Sequence, residues 1–165
     1  MPDRRRADEP DRTPHARLAE GALHGIVGYQ LAQAEVVTDA VFDTAVQLPE
    51  GLRRLEFSVL CLVQANADVS ARQLAKALNV TPPHIAISLD RLEARGLVER
   101  RRSTADARVQ HLRLTRAGAA LVQAAATRVQ AGEAAALTTL SPAERAMLLE
   151  LLHKLARSRL GKAPI

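Results

Sequence analysis

The chain has 165 residues, a formal charge of +5 and 47% apolar residues, yet only two Phe, one Tyr and no Trp. A core short of rings must be packed from Leu, Val and Ala, which favours helices over an aromatic-rich β-sandwich, and the length suits one domain with an extension. No apolar run approaches the roughly 20 residues needed to cross a bilayer, the start lacks a signal peptide's apolar stretch, and the single cysteine, Cys61, excludes an internal disulfide, so a cytoplasmic protein is expected.

Residues 1–17, rich in Pro, Asp and Arg without an apolar period, read as a disordered tail, and 159–165 as a second one. From Leu18 to Val46 apolar residues recur at helical spacing, among them Leu23, Val27, Leu31, Val41 and Ala45. Ile26, Val37 and Phe42 widen that stripe beyond what one packed neighbour needs, Gly25 and Gly28 weaken its start, and Pro49 and Gly51 end the segment. Leu52 to Ala65 is apolar nearly all round, which predicts a central helix.

Ser70 is a candidate N-cap for the short helix SARQLAKAL, with Leu74 and Leu78 inward. Thr81 is a candidate cap for the next helix, with Pro82 at a favoured first-turn position and Gly96 closing it. There Ile85, Leu89 and Leu92 form the predicted buried face, leaving Pro83, His84, Ile87, Ser88 and Arg91 toward the opposite one. LVERRR and VQHLRLT predict two strands around the turn STADAR. Residues 117–137 form an alanine-rich helix, and Ser141, Pro142 and Glu144 open a last one in which Leu148, Leu151, Leu152 and Leu155 make the apolar face.

The fold class is therefore mainly α with a small β-hairpin wing: a winged helix-turn-helix flanked by N- and C-terminal helices suited to dimerisation. The domain spans 18–158, with 18–50 and 117–158 as the dimerisation helices and 52–116 as the winged module.

Charge distribution adds a partner. Residues 70–116 hold ten cations against four acids, +6 in a chain of +5, so the remainder sums to −1. A compact module that concentrates positive charge is suited to a polyanion, and double-stranded DNA is the leading candidate. A helix fits the major groove, about 12 Å wide, and Thr81's cap would leave first-turn amides open to phosphate. Thr81, Pro83, His84, Ile87, Ser88 and Arg91 are the expected groove and phosphate contacts, with Ser70, Arg72, Arg101 and Arg102 on phosphates. Arg108 at the hairpin tip would enter the minor groove, oriented by Asp106.

These motifs resemble the MarR family of bacterial transcriptional regulators. The likeness runs through LEFSVLCLV, the helix-turn-helix from Ser70 to Arg101, DARVQHLRLT and LSPAERAMLLELLHKL, from about residue 20 to 158. It implies a homodimer formed through the first and last helices, two winged modules on a pseudo-palindrome, and a small effector that lifts repression. The implied pocket would be lined by His24, Tyr29, Gln30, Arg53, Phe57 and Cys61, a set suited to an aromatic acid. Two residues depart from the pattern: Ile87 stands where relatives often carry a polar or basic residue, and Arg53 where many have Thr or Ser.

Alternative readings are a sequence-nonspecific architectural DNA-binding protein and a thiol-based redox sensor using Cys61. The apolar setting VLCLVQ favours a buried thiol instead. No enzyme is expected, because no Gly-rich phosphate loop, nucleophile motif or paired acidic site occurs. The five histidines lack metal-ligand spacing, so neither metal nor cofactor is expected.

Overall fold

The computed structural model describes residues 12–102 and 110–158, and the chain divides into two compact units, 1–40 and 41–165. In the first unit, Arg12 and Ala19 form an isolated antiparallel bridge and the Thr13 amide donates to the Leu18 carbonyl at 2.9 Å. Residues 12–17, expected within the tail, thus form a turn; the rest of that tail lies outside the described residues. The continuous helix expected from Leu18 is also interrupted. A 3₁₀ turn occupies Gly21–Gly25, Ile26 is extended, and α1 (Val27–Phe42) starts only afterwards. Gly21 sits at φ 54°, a left-handed conformation costly for residues with a Cβ.

The second unit takes in the end of α1 and a five-residue π turn, Asp43–Gln47. There follow α2 (Leu48–Glu50), α3 (Arg54–Ala65), α4 (Ala71–Leu78), α5 (Pro82–Ala94), β1 (Val98–Arg102), β2 (Gln110–Leu114), α6 (Arg116–Ala136) and α7 (Pro142–Arg157). The architecture is mainly helical with one two-stranded antiparallel sheet, as the sequence predicts. Its register runs from Val98 opposite Leu114 to Arg102 opposite Gln110. The Leu112 amide also donates to the Val69 carbonyl at 2.9 Å, fastening the sheet to the residue before the α4 cap.

The core of this unit draws one or more residues from nearly every element. Val59, Leu60 and Val63 of α3 meet Leu74 of α4, Ile85, Leu89 and Leu92 of α5, Leu97 and Val98, Leu112 of β2, and Val122 and Ala125 of α6. Phe42 packs edge-on against Phe57, ring centroids 5.7 Å apart, and Arg54 lies 4.6 Å over the Phe42 ring. By contrast, α7 has no buried residue: Met147, Leu148, Leu149, Leu151, Leu152 and Leu155 are all exposed.

The start of α6 is fixed by close approach. Thr115 caps it, accepting from the Gly118 amide at 3.0 Å and donating to the Gly96 carbonyl at 2.7 Å. A Cβ on Gly118 would stand 2.0 Å from the Leu97 carbonyl oxygen, a backbone atom that cannot rotate away. Gly118→Ala should therefore destabilise the protein by about 2 kcal/mol or more, measured by urea unfolding. Gly132→Ala, which meets only a Val41 side-chain methyl at 2.7 Å, should cost less.

Candidate nucleic-acid interface

The helix-turn-helix is built by local rules. At the head of α4 the Ser70 hydroxyl accepts from the Gln73 amide at 3.3 Å, and Gln73 Oε1 accepts from the Ser70 amide at 2.9 Å, a reciprocal capping box. Asn79 closes α4 at φ 53°, a left-handed position that Asn tolerates, and Val80 and Thr81 complete the turn into α5. Ile85, Leu89 and Leu92 are buried, which rotates His84, Ile87 and Arg91 outward to solvent.

Two expectations about α5 are corrected. Ser88 was expected toward the groove but is buried, only 7% exposed, one turn below Ile85 on the inner side of the helix. Thr81 occupies the N-cap position without a side-chain cap bond. The first turn also offers less to a phosphate than expected, since Pro82 and Pro83 carry no N–H and leave His84 as its amide donor.

Among the described residues, four of the module's ten cations face an acid within the fold. Arg100 on β1 pairs with Asp90 and lies 3.4 Å from Glu93, so one guanidinium is shared between both acids of α5. Arg101 pairs with Glu99 at 2.8 Å, which raises the guanidinium pKa. Arg113 donates to Asp68 at 2.8 Å and holds that carboxyl below its ordinary value. Arg95 is turned to the backbone, donating to the Glu50 carbonyl at 2.8 Å and lying 3.5 Å from that of Gly51. Arg91 lies 3.7 Å from Glu56, a carboxylate only 4% exposed. On α4, Arg72 and Lys76 are exposed with no ion pair among the described residues. Ser70 is half-buried beside them. Arg102 ends β1, while Asp106 and Arg108 lie outside the described residues.

The six residues expected to line a ligand pocket divide between the two units, three in each. In the first, His24, Tyr29 and Gln30 converge on Glu20, a buried acid that the sequence reading missed. Its Oε2 is 2.9 Å from His24 Nδ1 and 3.2 Å from Gln30 Nε2, and Tyr29 is near enough to feel its charge. The His24 bond leads in lowering the Glu20 pKa, while burial, followed by the Glu20 charge, raises that of Tyr29. In the second unit, Arg53 is the exposed N-cap of α3, Phe57 packs on Phe42, and Cys61 is half-buried against the core. Burial pushes the Cys61 thiol pKa up, away from the reactive thiolate that a redox sensor needs.

Comparison with known proteins places this geometry. The sequence model of the MarR family matches residues 52–109, the stretch from α3 through both wing strands' connection. The repressor CouR, solved on a 23-mer DNA duplex, is 32% identical, with a TM-score of 0.77 over 86% of this chain and 99% of its own. The chain belongs to the MarR family. It is thus a winged-helix transcriptional regulator of a family that binds DNA. CouR from Rhodococcus jostii RHA1, solved with p-coumaroyl-CoA, is 26% identical, with a TM-score of 0.73 over 85% of this chain and 98% of its own. A protein of Thauera aromatica assigned to transcriptional regulation of the hcr operon is 27% identical over 154 residues, 93% of each chain.

Three carboxyls of this MarR-family chain, Glu20, Asp68 and Glu144, are held below their ordinary values, chiefly by His24, Arg113 and Ser141 respectively. A lowered folded pKa stabilises above the unfolded value and is lost as pH falls through the folded one. Thermal stability should therefore decline on acidification from about pH 6 to about pH 3, and Asp68→Asn should flatten that decline, as followed by circular dichroism melts.

Proposed function

We propose that this chain is a homodimeric repressor that leaves a pseudo-palindromic operator when a small aromatic effector binds. The observation that carries the DNA-reading part is the outward row His84 and Ile87 on α5, together with the exposed Arg72 and Lys76 of α4. Thr81, Pro83, His84 and Ile87 would meet the major groove, where Ile87 can touch only a thymine methyl. Ser70, Arg72, Arg101 and Arg102 would meet phosphates, and Arg108, oriented by Asp106, the minor groove.

A second copy is supported by the apolar face of α7, which has nothing buried within the chain, and by the exposed Leu31 and Val37 of α1. A two-fold dimer doubles the contacts of one small module and spaces its half-sites about 10 bp apart. The effector reading is supported by the p-coumaroyl-CoA complex of CouR. Of the residues proposed for the effector, His24, Tyr29 and Gln30 belong to the first unit and Arg53, Phe57 and Cys61 to the second; because Glu20 already engages His24 and Gln30, a carboxylate effector reaching those two must compete with it.

The test is fluorescence anisotropy on DNA upstream of the gene against a scrambled duplex of equal length, at physiological salt. A preference above about 10³ that collapses with an aromatic acid or its CoA thioester is expected. Equal affinity for both duplexes, unmoved by any compound, would make this an architectural protein instead. Arg108→Ala should weaken operator binding at least about tenfold while leaving the dimer intact. Replacing Leu151 and Leu155 together with Asp should yield a monomer by sedimentation and lose operator binding with it.

A further inference from the structure

The buried carboxylate of Glu56 has no place in the reading above, and it lies under the helix that meets the groove. It is the fourth residue of the α3 entry, counting from Arg53, and its Oε2 accepts from the Arg53 amide at 3.0 Å. That bond, with the positive end of the α3 dipole, makes the position hospitable to a negative charge. The other oxygen, Oε1, faces Arg91 Nη1 at 3.7 Å; the Glu56 side chain is 6% exposed and that of Arg91 47%. A carboxylate so far out of water needs a charged neighbour, and Arg91 is the only Lys or Arg within α5. The helix proposed to meet DNA therefore commits its single arginine, although exposed, to a buried acid.

Its position agrees with that commitment. Arg91 follows Pro82 by nine residues, about 13 Å along the helix axis, while His84 and Ile87 stand in the first two turns. One helical turn further on, Arg95 is bound to the Glu50 and Gly51 carbonyls. Both arginines, at the C-terminal end of α5, thus engage residues 50–56 at the entry and first turn of α3.

We propose that Glu56 is a positioning residue for DNA recognition: it holds Arg91 off the DNA, so that α5 reads through its first two turns and not through an indiscriminate phosphate contact. The proposal rests on the reading of this chain as a sequence-selective DNA-binding protein. It concerns specificity, because a phosphate contact adds affinity for every duplex alike.

Glu56→Gln keeps an oxygen for the Arg53 amide and removes the charge that restrains Arg91. Its affinity for a scrambled duplex should rise, its operator-to-scrambled ratio should fall about threefold or more, and the slope of log K against log salt should steepen by about 0.9 per protomer. A merely structural loss would lower both affinities together and leave the slope alone. Should Glu56→Gln fail to fold by circular dichroism, the double variant Glu56→Gln with Arg91→Met, neutral on both sides, decides. It should show the wild-type salt slope, since Arg91 makes no DNA contact in the wild type. An unchanged ratio and slope in folded Glu56→Gln, or a double variant whose slope is shallower by about one contact, would overturn the proposal. A wild type without operator preference would overturn the functional reading instead, and the slopes on either duplex would still decide the role of Arg91.

Discussion

The geometry of the helix-turn-helix depends on how α5 is held. Its inner face, Ile85, Leu89 and Leu92, is sunk in the core with Ser88 between them. Burying one such side chain contributes about 1.5–3 kcal/mol, so rotation of α5 about its axis would expose several at once. Its far end is held differently, by Arg95 on the carbonyls of Glu50 and Gly51 and by Arg91 at Glu56. The same short segment is tied to α6, where Arg128 donates to the Ala45 carbonyl at 2.8 Å and to Glu50 at 2.5 Å. Residues 45–56 are thus a bracket between α5 and the long α6.

This arrangement changes what the charge of the module means. Counted from the sequence, residues 70–116 carry ten cations. In the fold, Arg91, Arg100, Arg101 and Arg113 each face an acid, and Arg95 faces carbonyls. Exposed pairs such as Arg101 with Glu99 are worth little to stability, and they open readily to a phosphate. Arg91 differs because its partner is buried, and releasing it would leave a carboxylate stranded in the core. The distribution of free and committed cations, more than the total, decides where the polyanion can be met.

Periodicity and capping chemistry are local, and what they control was legible. The Ile85–Leu89–Leu92 face, the Ser70 and Ser141 caps, the Gly96 stop at φ 67° and both wing strands follow from neighbours within a few residues. What was not legible depends on contacts across tens of residues. Glu56 reads as one acid among apolar residues until α5 packs on α3, and Arg95 reads as a surface cation until its partners, 44 and 45 residues earlier, are in place. Ser88 was misassigned because a small residue at the edge of an apolar stripe can fall on either side. Glu20 lay too close to the expected tail to be counted with His24 and Gln30. The missing amides of Pro82 and Pro83 were there to be read, and they limit the α5 N-terminus as a phosphate site.

The most direct test of the account is a crystal structure of the dimer on its operator. The account predicts that Arg95 still binds the Glu50 and Gly51 carbonyls, that Arg91 still faces Glu56, and that the base contacts of α5 come from Thr81 to Ile87. A structure in which the Arg91 guanidinium has swung onto bases or phosphates, leaving Glu56 to water, would contradict it.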